Sequence, residues 1–127
     1  NLTSYASLAG TPWLPRMSSP FLLFFEDINE PPYKIDRLLQ QLTWSGAFGN
    51  CRGLILGHFT QCPKALSVIR AWAEEHDIFV ASGVKAGHQR PNLPLLMGSP
   101  VSLSFKNPTL AALTMPIPRL GVTFKER

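Results

Sequence analysis

Three short apolar runs, separated by two amphipathic stretches, do most to narrow what this chain can fold into. Phe21-Leu22-Leu23-Phe24-Phe25 is bounded by Ser18-Ser19-Pro20 before and by Glu26 and Asp27 after, and reads as a buried strand over residues 20–25 with the acids at its carboxyl end. Pro31-Pro32 opens a segment in which Ile35, Leu38, Leu39 and Leu42 recur at helical spacing while Lys34, Asp36, Arg37, Gln40 and Gln41 face away, ending near Gly46. Leu54-Ile55-Leu56, punctuated by Gly53 and Gly57, predicts a strand over residues 52–59. A second helix starts at Pro63, with Leu66, Ile69, Trp72 and Ala73 on one face and Lys64, Ser67, Arg70, Glu74 and Glu75 on the other. Residues 78–81 follow as a third strand. Alternation of this kind defines an α/β fold.

Residues 82–98 carry Gly83, Gly87, Pro91, Pro94 and Gly98 with little periodicity, and loops of that length tend to be functional or disordered. Val101, Leu103 and Phe105 alternate with Ser102, Ser104 and Lys106, and a further β segment within residues 110–124 completes a hairpin or meander. A chain of 127 residues buries somewhat under ~70% of its unfolded surface, enough for one core and not two. Twelve prolines are near twice the usual share of ~5% and argue against a helical bundle. The expected architecture is one small α/β domain over residues 1–127, with a mixed β-sheet and two main helices.

Charge and composition exclude several function classes. Net charge is +4, but the twelve basic residues are scattered singly rather than gathered on a stripe with aromatics, so no nucleic-acid partner is expected. The longest apolar runs fall well short of the ~20 residues that cross a bilayer, so no membrane partner is expected either. No basic segment followed by an apolar one precedes the domain, although a leader or a whole upstream domain stays open. Two cysteines, Cys51 and Cys62, are too few for a disulfide scaffold and fit a reducing, cytoplasmic setting. Structural zinc wants four ligands in paired short spacings; His58, Cys62 and Cys51 do not make such a set, and they read as a turn histidine and two buried thiols.

Reactive groups in α/β folds gather where strands end, and Glu26 is in such a place. An acid there ordinarily caps a turn or pairs with a nearby base, and Asp27 and Glu30 share that reading. His88 lies beside Gly87 in a polar loop, where glycine permits close approach of backbone or substrate. A carboxylate that fixes an imidazole tautomer is the second half of a nucleophilic triad, so Glu26 and His88 read as an acid and base that lack a partner. None of the ten serines lies in a sharp Gly-x-Ser-x-Gly turn, so the nucleophile is missing.

The stretch Phe24-Phe25-Glu26-Asp27-Ile28-Asn29-Glu30-Pro31-Pro32-Tyr33-Lys34-Ile35-Asp36-Arg37-Leu38-Leu39-Gln40-Gln41-Leu42 resembles the signature that opens the C-terminal half of the muramoyltetrapeptide LD-carboxypeptidases. Asn1-Leu2 with Leu8-Ala9-Gly10-Thr11-Pro12, then Gly53-Leu54-Ile55-Leu56-Gly57-His58-Phe59-Thr60-Gln61-Cys62, then Gly87-His88 with Asn92, Pro94 and Gly98, resemble further family stretches in the same order. The likeness covers about residues 1–104.

What the resemblance implies is specific. The fold would be the swivelling β/β/α-like C-terminal half of a serine peptidase, and Glu26 and His88 would be its catalytic acid and general base. The nucleophilic serine and oxyanion site would come from the chain's own N-terminal domain, outside these residues. The order serine, acid, histidine matches one known triad order. The substrate would be a small peptide, a murein tetrapeptide cut before its terminal D-alanine during cell-wall recycling, with no metal or cofactor. Homodimers occur in such a family, and the Trp and Phe content allows a hydrophobic interface. A microcin-immunity peptidase that cleaves a peptidyl-nucleotide amide, and a non-catalytic binding module of the same fold, are the competing readings. Asp36 and Arg37 take structural roles on a solvated helix face, and Trp13, Trp44 and Trp72 are assigned to core or interdomain packing.

Overall fold

The computed structural model describes residues 1–107 and 110–114, with side chains through residue 103. The chain divides into two compact units, Asn1–Pro94 and Leu95–Arg127. The first holds a short helix α1 (Leu2–Ala6), then β1 (Phe21–Ile28), α2 (Pro32–Trp44), β2 (Cys51–Thr60), α3 (Ala65–Glu75) and β3 (Phe79–Ser82). Its three strands form one parallel sheet in the order β1-β2-β3. The second unit holds β4 (Ser102–Asn107) and β5 (Leu110–Thr114), paired antiparallel as a separate two-stranded sheet.

The α/β class and both main helices are as expected. The single mixed sheet is not: the parallel and antiparallel strands belong to different sheets, each in its own unit. The hairpin expected at the end is present in β4 and β5, and the part of the predicted β segment beyond residue 114 lies outside the described residues. The short helix α1 escaped the periodicity reading because five residues do not complete a repeat that pattern reasoning can use.

Helix α2 exists because its apolar positions fall on one stripe: Ile35, Leu38, Leu39 and Leu42 are buried, while Asp36 and Arg37 are solvated. Pro32 supplies a first-turn residue whose missing N–H costs nothing there. The helix ends in a Schellman motif, in which the Ala47 N–H donates to Leu42 O at 3.0 Å and Gly46 takes a φ of +77°. Helix α3 buries Ala65, Ile69, Trp72 and Ala73, whereas Leu66, expected on that face, is exposed. It closes the same way, through Ile78 N–H to Ala73 O at 2.9 Å, with Asp77 in the left-handed position.

Crossovers between parallel strands are right-handed as a rule, which in a sheet of order 1-2-3 places α2 and α3 on the same face. There they pack on one another. The Trp72 indole N–H donates to Thr43 Oγ1 at 3.2 Å, and its ring meets Phe48 at a centroid distance of 4.5 Å. Leu2, Phe25, Ile35, Leu39, Leu42, Leu54, Leu56 and Ile69 are the large side chains wholly withdrawn from solvent, each contributing roughly 1.5–3 kcal/mol of transfer free energy. Trp72 belongs to this core; Trp13 and Trp44 do not, being 79% and 84% exposed. The opposite face carries Leu22, Gly53 and Phe79 in lateral contact, and a β-carbon on Gly53 would stand 3.1 Å from both neighbouring side chains.

Candidate active site

Strand β1 does not stop at Phe25. It continues through Glu26 and Asp27 to Ile28, still paired with β2, so both acids lie inside the strand and are buried. Alternation along the strand sends them in different directions. Phe25 turns into the core against the Tyr5 ring, with centroids 5.7 Å apart, and Asp27 follows it toward α1. Glu26 turns the other way, toward the loop after β3.

Opposite Glu26 the ladder carries one residue too many on β2. Phe25 pairs with Leu56 and Asp27 with Phe59, so the single residue Glu26 faces the two residues Gly57 and His58. Such a bulge bends the strand and frees backbone groups for other partners. The His58 N–H donates to Ala86 O at 2.8 Å, while Gly83 and Val84 N–H both reach Leu56 O at 3.2 Å. The loop after β3 is thereby laid against the end of β2, with Ala86 buried. Gly57 makes this possible, since a β-carbon there would stand 2.3 Å from Ala86 O and 2.6 Å from the Phe24 ring. Gly57, which in the sequence reads as turn punctuation, is a close-approach position inside a strand.

The seated loop delivers His88 to Glu26. His88 Nδ1 and Glu26 Oε2 are 2.6 Å apart, a charge-assisted hydrogen-bond distance. The Glu26 side chain is 9% exposed and that of His88 45%, so the carboxylate is enclosed while the imidazole reaches solvent. Nδ1 is committed to Glu26, which leaves Nε2 as the ring nitrogen available for proton transfer. Gly87 has a φ of +123°, and its N–H donates to Asn92 Oδ1 at 3.0 Å. A second tie, from Leu93 N–H to Lys85 O at 2.8 Å, closes the loop around the histidine.

The other acids take supporting places. Glu30 accepts from Lys34 Nζ at 2.6 Å and from the Thr3 hydroxyl at 3.0 Å, the ordinary pairing expected of it. Asp27, 2% exposed, accepts from Asn1 Nδ2 at 2.9 Å, Thr3 N–H at 2.8 Å and Ile28 N–H at 2.9 Å. Burial acts to raise its pKa, but the hydrogen bonds from Thr3, Ile28 and Asn1 outweigh it and the net direction is down. The resemblance included Asn1-Leu2 without a role for them; only the folded chain shows that Asn1 meets Asp27.

Cys51 and Cys62 are buried free thiols, as expected. Burial pushes both pKa values up, and for Cys62 the charges of Asp27, Glu30 and Glu26 push the same way against one hydrogen bond from the Glu30 N–H. Both are held as thiols rather than nucleophilic thiolates at neutral pH. His58 is not a turn residue: it lies within β2, and its Nδ1 is buried without a hydrogen-bond partner among the described residues, as is Thr60 Oγ1. Among the described residues no group of three or more His, Cys, Asp or Glu side chains is placed to hold a metal ion, and no helix is long and apolar enough to cross a membrane.

An enclosed carboxylate inside β1 thus holds one nitrogen of a solvent-reaching imidazole on the loop after β3, an arrangement chemically able to work as an acid and base pair. The LD-carboxypeptidase C-terminal domain family matches residues 1–103, and the chain belongs to that family. It is 32% identical over 122 residues to a Synechocystis protein provisionally named a carboxypeptidase, covering 89% of this chain and 40% of that one. It is 25% identical over 117 residues to the microcin C7 self-immunity protein of Escherichia coli, covering 87% of this chain and 34% of that one. The crystal structure of muramoyltetrapeptide carboxypeptidase from Oxalobacter formigenes superposes with a TM-score of 0.79 at 32% identity, over 91% of this chain and 42% of that chain. The chain thus spans about two-fifths of the length of the Synechocystis and Oxalobacter proteins.

Proposed function

We propose that this domain supplies the Glu26 and His88 of a Ser-His-Glu triad in a cytoplasmic serine carboxypeptidase, which releases terminal D-alanine from L,D-linked murein tetrapeptides during cell-wall recycling. The single observation that carries the reading is the 2.6 Å contact between Glu26 Oε2 and His88 Nδ1. Family membership and the likeness to a muramoyltetrapeptide carboxypeptidase support the substrate class. The nucleophilic serine and its oxyanion donors come from the protein's own N-terminal domain. His88 Nε2 accepts the serine proton as Oγ attacks the amide carbonyl, and then returns it to the departing amine of D-alanine. Glu26 keeps Nδ1 protonated and stabilises the imidazolium between those two transfers. Water hydrolyses the acyl-enzyme by the same base. On this reading the isolated domain, without the serine of the N-terminal domain, is inert.

The test is D-alanine release by the complete protein from a tetrapeptide bearing an L,D-amide. His88→Ala abolishes turnover while leaving the circular dichroism and melting transition in place; unchanged release in that variant would refute the assignment. The likeness to the microcin C7 self-immunity protein favours a second reading, cleavage of a peptidyl-nucleotide amide by the same acid and base. Parallel assays on the two substrates separate these readings, and failure of both leaves the binding-module reading standing.

A further inference from the structure

Glu26 has two carboxylate oxygens, and His88 uses only Oε2. The nitrogen of Asn1, a terminal ammonium in this structure and a backbone amide in the longer protein proposed above, stands 3.5 Å from the other, Oε1. That nitrogen is held by its own side chain: Asn1 Nδ2 donates to Asp27 Oδ1 at 2.9 Å, while Asn1 Oδ1 accepts from Ser4 N–H at 2.9 Å. Two residues on, Thr3 N–H donates to Asp27 Oδ2 at 2.8 Å. Both oxygens of a carboxylate that is 2% exposed are therefore spent on the segment that runs past Glu26. A buried carboxylate costs free energy unless it is fully hydrogen-bonded, so this set of partners is strongly specified and resists rearrangement.

We propose that Asp27 is a positioning residue for the triad: by clamping Asn1 and Thr3 it holds the Asn1 backbone against Glu26 Oε1 and so sets the Glu26 carboxylate for His88. The inference rests on the triad reading above. Glu26 and Asp27 are adjacent in β1 and point to different sides of the strand, so neither can orient the other directly. Asn1 reaches both, Asp27 through its side chain and Glu26 through its main-chain nitrogen. Misplacing a catalytic group by a fraction of an ångström costs rate rather than affinity, since substrate contacts made elsewhere are retained.

The experiment uses the complete protein and two readouts, steady-state kinetics on the tetrapeptide and the low-field proton resonance of the His88 Nδ1–H···Glu26 hydrogen bond. Asp27→Asn lowers kcat by about tenfold to a hundredfold, with KM changed by less than about twofold, and moves or broadens the resonance. Asn1→Ser keeps an acceptor for Ser4 N–H but replaces the Nδ2 donor to Asp27 with a shorter hydroxyl, and has the same effects at smaller size. Leu42→Val, a core change away from the site, leaves the resonance and kcat in place at an assay temperature below its melting point. An Asp27→Asn protein with unaltered kcat and resonance overturns the proposal, and if that variant does not fold, the Asn1→Ser resonance decides in the same way. The resonance needs no turnover, so a protein that leaves D-alanine uncut would defeat the substrate reading without touching this test.

Discussion

Gly87 lies so close over Glu26 that a β-carbon on it would stand 2.8 Å from Oε2 and 3.1 Å from the glutamate Cβ. Its φ of +123° also belongs to a region that L side chains rarely adopt. Gly87→Ala therefore meets both a steric and a conformational obstacle, and the loop must lift off the carboxylate. The expected result is a loss of kcat of about a hundredfold, from separation of His88 and Glu26, together with roughly 1–3 kcal/mol of destabilisation in denaturant titration.

Glu26→Gln keeps a side chain of the same shape but presents an amide where the carboxylate stood. The variant can no longer stabilise the imidazolium, and it accommodates the wrong imidazole tautomer as readily as the right one. A fall in kcat of about 10²- to 10⁴-fold with an unchanged melting temperature is expected, by analogy with removal of the acid from other triads. Activity within about twofold of the wild type would mean that Glu26 serves only to seat the loop.

Gly57→Ala tests the seat itself. The added methyl would meet backbone, the Ala86 carbonyl at 2.3 Å, and backbone yields less readily than a flexible side chain. Loss of the His58 N–H to Ala86 O bond follows, and hydrogen exchange at His58 should quicken well before that of the core amides of β2.

The lowered pKa of Asp27 makes a signed prediction about acid stability. A carboxylate whose folded value lies below its ordinary 3.8 contributes stability that is complete above that value and is lost as pH falls through the folded one. Unfolding free energy measured from pH 5 downward should decline, and the decline should be shallower in Asp27→Asn, which has no proton to bind there. Equal slopes in the two proteins would show that other carboxylates govern the acid limb.

Cys51 and Cys62 should react with a thiol reagent only as fast as the domain opens, because burial both shields them and keeps them protonated. Rapid labelling of native protein at pH 7 would contradict their placement.

The sequence by itself determined the main helices and strands and the family to which the chain belongs. Apolar spacing located α2 and α3 to within two residues, because a helix face is a local property of residues three and four apart. The Glu-Asp block and the distant Gly-His pair pointed, without any coordinates, to two side chains that the fold brings into contact. Only the tertiary structure decided how they meet. Glu26 and His88 are 62 positions apart, and their contact depends on an extra β2 residue opposite Glu26, on Gly57 admitting the Ala86 carbonyl, and on Gly87 clearing Glu26 itself. None of these leaves a periodic trace. The extent of β1 is hidden for a related reason: acids read as strand terminators when their partners cannot be seen, and Asp27 is partnered by Asn1 and Thr3, 26 and 24 positions earlier. Local hydrophobic pattern specifies what a segment becomes, whereas burial of a charged group depends on hydrogen bonds closed across the fold.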